Sequence, residues 1–295
     1  MSTPPSDPPA DDAWAGDRVA RWLSQAEGLE RQLAPVSEVL FAAAALAPGE
    51  RVLDVGCGTG PTTREAAAAV GPEGAVTGLD VSADMLAAAA GIAVPPGAAP
   101  ITWTTADVVG WSPREGAFDV VLSRFGVMFF SDPQVAFARL ATATRSGGRL
   151  AVAVWAHRDE SALFAVPLHA TLAVRRAHGV GDTASMPADG GPGDVGASSL
   201  GDVPAALALL AAAGWDGVGA TPHQLAMPFG GGLDPRIAAE AAADFGPTRL
   251  ALEGLDDVVR ADAVDAIATA FEAHVDDDGH VVLGGSVLVL TATRA

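Results

Sequence analysis

A chain of 295 residues that is 49% hydrophobic can fill one large α/β domain with an appended region, or two small domains. Its net charge of −19 argues against nucleic acid and anionic membrane surfaces, whose phosphates reward cationic side chains. Lysine, asparagine and tyrosine are absent, which reads as GC-rich coding in which arginine does lysine's work. The lone Cys57 excludes a disulfide framework within the chain.

Residues 1–12 are rich in proline and acid and read as a disordered tail. From Trp14 to Leu46 the pattern is helical, with Val19, Trp22 and Leu23 on one face. Leu29, Leu33, Val36, Val39 and Leu40 follow, interrupted by Pro35. Two helices therefore fit residues 13–47. A first strand covers Val52, Leu53 and Val55 after a Pro48-Gly49 turn. It runs into Asp54-Val55-Gly56-Cys57-Gly58-Thr59-Gly60, and Pro61 then suits the first turn of a helix. In an open α/β sheet such a strand-to-helix turn is where a nucleotide-like ligand sits. The absence of lysine excludes a P-loop ending. The glycine spacing is not the G-x-G-x-x-G of a dinucleotide fold. Asp54 would repel a pyrophosphate but suit a ligand bearing an ammonium group. A glycine turn with no ligand is the bland alternative.

The second strand, Ala75 to Asp80, also ends in an acid, suited to ribose hydroxyls. Ser82 is an N-cap for the helix that begins Ala83-Asp84-Met85. A third strand, Ile101 to Ala106, stops at Asp107-Val108. Phe118 to Ser123 reads as a buried fourth strand and runs into Arg124-Phe125-Gly126-Val127-Met128-Phe129-Phe130. Asp132-Pro133 starts a helix to about Arg145, and Arg149 to Trp155 is the fifth strand. Beyond His157, residues 160–178 are helical in pattern and 181–201 read as a mobile loop. A helix over 203–213 leads to a sixth strand ending near Thr221. Helical stretches lie near 234–244 and 256–274, and Val281 to Thr291 completes the sheet with an antiparallel seventh strand.

The segment Asp54 to Gly60, with Asp80 to Leu86, Asp107-Val108 and the block 118–155, resembles class I S-adenosylmethionine (SAM)-dependent methyltransferases. The resemblance covers nearly all of 14–295 and is strongest over 51–155. It implies a Rossmann-like α/β fold with a seven-stranded, mostly parallel sheet, helices on both faces, N-terminal cover helices and a C-terminal lid. It divides the chain into 1–12 (tail), 13–47 (cover helices), 48–156 (SAM-binding core) and 157–295 (acceptor lid and last strands). The cofactor residues it implies are Asp54, Gly56, Gly58, Gly60, Asp80, Met85, Asp107, Val108 and Ser123, with Trp14 and Gln25 from the cover helices. Met85 would pack on adenine, Asp107 would accept its amino group, and Asp54 would lie near the methionyl amine.

The activity implied is methyl transfer from SAM to a small, fairly apolar metabolite. Holding donor and acceptor in line supplies much of such a rate. A base is needed only where the acceptor must lose a proton, and His157, then His223, are the candidates by position, followed by His169. Arg124 to Phe130 departs from the quinone-biosynthesis members, which weakens a quinone acceptor. Two rivals remain: a SAM site serving a non-methylating reaction such as cyclisation, and a binding module without turnover. The glycine spacing opposes an NAD-dependent oxidoreductase.

No metal is expected, because the histidines are scattered and Asp276-Asp277-Asp278-Gly279-His280 lacks EF-hand spacing. No G-x-S-x-G elbow supports a hydrolase. A small-molecule acceptor, no nucleic acid, no membrane, a cytoplasmic location and a monomer or homodimer complete the expectation.

Overall fold

The computed structural model describes residues 16–181, 196 and 199–295. Seven strands form one sheet: β1 (Arg51–Val55), β2 (Ala75–Asp80), β3 (Ile101–Thr105), β4 (Phe118–Arg124), β5 (Thr144–Trp155), β6 (Asp216–Pro228) and β7 (Val282–Thr293). Their order across the sheet is β3-β2-β1-β4-β5-β7-β6. The first five pair in parallel, and β7 runs antiparallel to both β5 and β6. The strand order reverses between β1 and β4, the position at which open α/β sheets take ligands.

The central strands are buried on both faces, so they read as apolar runs: Val52, Leu53, Val120, Val121, Leu122 and Val152 are 0% exposed. Ten α-helices occur among the described residues. They are α1 (Asp17–Ser24), α2 (Ala26–Ala44), α3 (Pro61–Val70), α4 (Ala83–Ala90), α5 (Pro133–Ala143), α6 (Ala162–Ala177), α7 (Val203–Ala212), α8 (Pro235–Ala242), α9 (Gly246–Leu252) and α10 (Asp257–Phe271). Two helices precede β1 as expected, but the break falls at Gln25 and Pro35 lies inside α2. The helix survives its proline because Leu33, Val36, Leu40 and Ala44 are all buried. That packing outweighs one lost backbone bond.

Caps follow the sequence. The Ser82 hydroxyl accepts from the N–H of Met85 at the start of α4, and Asp132 accepts from that of Val135, one residue past Pro133-Gln134. The sixth strand is longer than expected and continues through Pro222 to Pro228. β6 is an edge strand, where a residue without an N–H is tolerated. Three helices, α8 to α10, stand between β6 and β7, and α10 packs on α6. The cover helix meets this insertion closely: a Cβ on Gly28 would lie 2.5 Å from the Gly230 carbonyl oxygen. The N–H of Gly230 donates to Gln32 Oε1 at 2.7 Å.

Candidate functional site

The carboxyl ends of β1, β2, β3 and β4 bring the strand-end acids together around the glycine turn. Gly56, Gly58 and Gly60 have φ of 65°, 54° and 74°, left-handed values that favour glycine. Two of them also need the missing side chain. A Cβ on Gly56 would sit 2.5 Å from Gly126 Cα, and one on Gly60 would strike the Trp103 ring at 2.3 Å. Gly58 differs, since nothing lies within 4 Å of where its Cβ would be. Its side faces open space, a cradle into which a ligand can approach the backbone. The N–H groups of Gly56 and Cys57 both donate to the Leu79 carbonyl, at 2.7 and 3.2 Å, tying the turn to β2.

Asp54 is 0% exposed. Its Oδ2 accepts from the hydroxyls of Thr62 and Thr63 in the first turn of α3, at 2.7 and 2.6 Å. Its Oδ1 is buried with no partner among the described residues. Burial pushes the carboxyl up to about 6, against the opposing pull of Thr63, Thr62 and the Arg124 guanidinium. A buried acceptor left unpaired costs about 1–3 kcal/mol, so Oδ1 is a vacancy a donor-bearing ligand can fill.

Asp80 ties the turn to the next helix: Oδ2 accepts from the N–H of Gly58 at 2.8 Å and Oδ1 from that of Ser82 at 2.9 Å. Burial raises its pKa, opposed by those backbone donors. Asp107 accepts from the N–H of Val109 at 3.0 Å, and Val108 and Met85 are both 2% exposed.

Ser123 has a part the sequence did not show. Its hydroxyl donates to the Val55 carbonyl at 2.7 Å and accepts from the N–H of Gly126 at 3.2 Å. It therefore joins the ends of β1 and β4 and is already engaged with the protein. Gln25 lines a cavity of about 380 Å³ with Leu29, Leu233 and Ile237, and no residue of the glycine turn is among its lining residues. Trp14 falls outside the described residues, as does most of the loop expected over 181–201. The described end of that loop docks on Met128, whose carbonyl accepts from the Ser199 hydroxyl at 2.8 Å.

The candidate bases separate. His157 lies just past β5 and is exposed, with Nδ1 3.8 Å from Asp159 Oδ2. His223 sits in β6 opposite Val287, three strand spacings from β4, about 14 Å across the sheet. His169 is exposed on α6. The Cys57 thiol is buried and pushed up by burial, which leaves it a packing residue. Among the described residues no group of three or more His, Cys, Asp or Glu side chains could hold a metal.

Beside the turn stands an aromatic wall. Phe125 has φ 67°, a costly conformation for a bulky residue. Its ring stacks on Trp155 at 4.1 Å and 10°, and Phe164 meets Trp155 edge-on at 5.0 Å. Nearby apolar side chains belong to the core instead: Phe130 packs edge-on against Phe137, Phe229 lies against Phe271, and Met227 is 0% exposed. Sequence reading also missed Thr62, Thr63 and Arg124. The threonines were visible as hydroxyls in the first helical turn after the glycines. Arg124 depends on contacts across 87 and 94 residues and carried no local signal.

Residues 52–148 match a family model described as a methyltransferase domain. Over 105 residues the chain is 38% identical to aklanonic acid methyltransferase DauC of Streptomyces sp. (strain C5), covering 35% of this chain and 47% of the relative. Over 134 residues it is 34% identical to nocamycin O-methyltransferase of Saccharothrix syringae, covering 45% and 47%. The chain thus spans about half the length of the curated relatives it matches. Among solved structures it is similar to a putative methyltransferase from an antibiotic biosynthesis pathway of Anabaena variabilis, with TM-score 0.56 and 14% identity over 88% of this chain and 96% of that one. It is also similar to the YcgJ protein of Bacillus subtilis, with TM-score 0.52 and 16% identity over 88% and 97%. These two likenesses show the fold.

Proposed function

We propose, from the match of residues 52–148 to a methyltransferase-domain model, that the chain is a SAM-dependent methyltransferase that transfers a methyl group from SAM to a small, fairly apolar metabolite. The observation that carries this reading is the orphaned Oδ1 of Asp54, with the open face of Gly58 four residues further along the same strand-to-helix turn. A buried carboxylate with a free oxygen suits an ammonium group, and a side-chain-free turn admits a ligand against the backbone. Asp54, Gly58, Asp80, Asp107 and Val108 would hold the cofactor. Bound there, SAM supplies an already activated methyl group. The protein's own task is then orientation and exclusion of water.

The wall of Phe125, Trp155 and Phe164 supports an apolar, ring-bearing acceptor, because aromatic faces reward stacking and leave a buried charge unpaired. Two relatives are named for small molecules, aklanonic acid and nocamycin, which supports a small-molecule acceptor. Where the acceptor must lose a proton, His157 is the base carried forward, since it stands at the carboxyl end of β5 while His223 lies on the far edge.

The test is incubation with SAM and a panel of hydroxyl- or carboxyl-bearing aromatic metabolites, followed by mass spectrometry. Gain of one methyl group with matching release of S-adenosylhomocysteine (SAH) is expected. An acceptor converted while SAM stays intact would mean that the site serves a non-methylating reaction.

A further inference from the structure

Arg124 closes β4, and its place follows from register. Asp54 lies opposite Leu122 in the parallel β1–β4 pair. Arg124, two residues on, therefore projects from the same face one step above Asp54. Helices α2 and α3 cover that face. The Arg124 side chain is 8% exposed, and α2 grips it: Nη1 donates to the Ser37 hydroxyl at 2.7 Å and Nη2 to Glu30 Oε1 at 2.5 Å. Glu38 of α2 and Glu65 of α3 border the same groove, of about 260 Å³. Two bonds to one helix fix a planar cation that would otherwise turn to solvent.

We infer that Arg124 is a positioning residue for the cofactor turn: gripped by Glu30 and Ser37 of the cover helix, its guanidinium holds Asp54 as the carboxylate that receives the cofactor's cationic end. This rests on the SAM reading above and adds a device to it, in which docking of α2 sets the charge of a residue on β1. Each element around Asp54 contributes. The Thr62 and Thr63 hydroxyls of α3 and Arg124 of β4 favour the carboxylate, while burial and Asp80 of β2 oppose it. Cys57 in the turn stays a neutral thiol. With the carboxyl at about 6, removal of one nearby cation moves its titration into the working range. Asp80 is also raised, but by burial and without a contribution from Arg124. Glu65 of α3 is raised by burial against the pull of Arg124, so the Arg124 variants are compared in a Glu65→Gln background, which leaves Asp54 as the acid that Arg124 acts on.

The experiment is calorimetric titration of the whole chain with SAH from about pH 5 to about pH 8, since linkage turns a changed ionisation into a moved half-point. Wild-type affinity should decline below about pH 6. For Arg124→Gln the half-point should rise by about one unit, so binding weakens about twofold at pH 7 and about fivefold at pH 6. Arg124→Lys should keep it near the wild-type value. Ser37→Ala changes no charge and should move the half-point the same way by less. A loss in Arg124→Gln that is equal at every pH would make the residue merely structural and overturn the inference. If that variant does not fold, an unmoved half-point in Ser37→Ala overturns it instead. A wild-type protein that binds no SAH at any pH fails at an earlier step, and the functional reading falls with the inference.

Discussion

The two ends of the central strands treat their carboxylates in opposite ways. At the amino end Asp119 is saturated: its oxygens accept from the Arg51 N–H at 2.8 Å, from Arg51 Nε at 3.0 Å and from Arg145 Nε at 2.5 Å. Glu50 there pairs both oxygens with Arg149 at 2.8 Å, while Arg149 also reaches the Ala44 and Ala45 carbonyls at the end of α2. Burial would raise Asp119, but bonds from Arg51 and Arg145 outweigh it and hold the carboxyl down at about 2. At the carboxyl end Asp54 is deeper, lacks a full set of donors and is pushed up to about 6. A sheet stabilised for its own sake would finish both ends alike. The unfinished end is the one where the topology puts a ligand.

Variants that act on one end alone can break or sharpen this contrast. The largest effect should come from Asp54. Its folded pKa lies above the free value, so the folded protein binds the extra proton between about pH 4 and about pH 6. Stability therefore falls as pH rises through that window, by up to about 3 kcal/mol. Denaturant midpoints of wild type relative to Asp54→Asn should show this decline without cofactor and less of it with saturating SAH. A flat difference would mean that Asp54 is not a buried, half-satisfied acid. Asp80→Ala should weaken SAM binding by about 1.5–3 kcal/mol, the order for hydrogen bonds to a charged group. Calorimetry checks it, and an unchanged affinity would remove Asp80 from the site.

Asp119→Ala should do the reverse, lowering stability by about 2 kcal/mol while leaving SAM affinity alone. Its depressed pKa means that its stabilising contribution is present at neutral pH and lost as pH falls from about 4 towards about 2. Loss of cofactor binding in that variant would show that the two ends are not independent. The smallest effect is none at all: exhaustive chelation should leave methyl transfer unchanged, and restoration by a divalent ion after a loss would reveal a metal that neither end accounts for.

What the sequence made legible was what local chemistry decides. The strand-end acids, the alternating glycines and the N-caps Ser82 and Asp132 each follow from residues within a few positions of one another, and the structure places them as expected. The missed features depend on distant partners. The length of β6 through Pro222 depends on which side of the sheet it occupies, and the uninterrupted α2 depends on what its apolar face meets. Ser123 stood among the cofactor residues that the resemblance implies, yet its hydroxyl is committed to Val55, 68 residues away. The Arg124 grip likewise belongs to the tertiary structure.

The central claim is that the carboxyl end of the sheet is a SAM site, and direct titration tests it. The purified chain should bind SAH, with SAM competing for the same site and NAD producing no heat. Tight NAD binding with no heat from either SAM or SAH would contradict the account at its root.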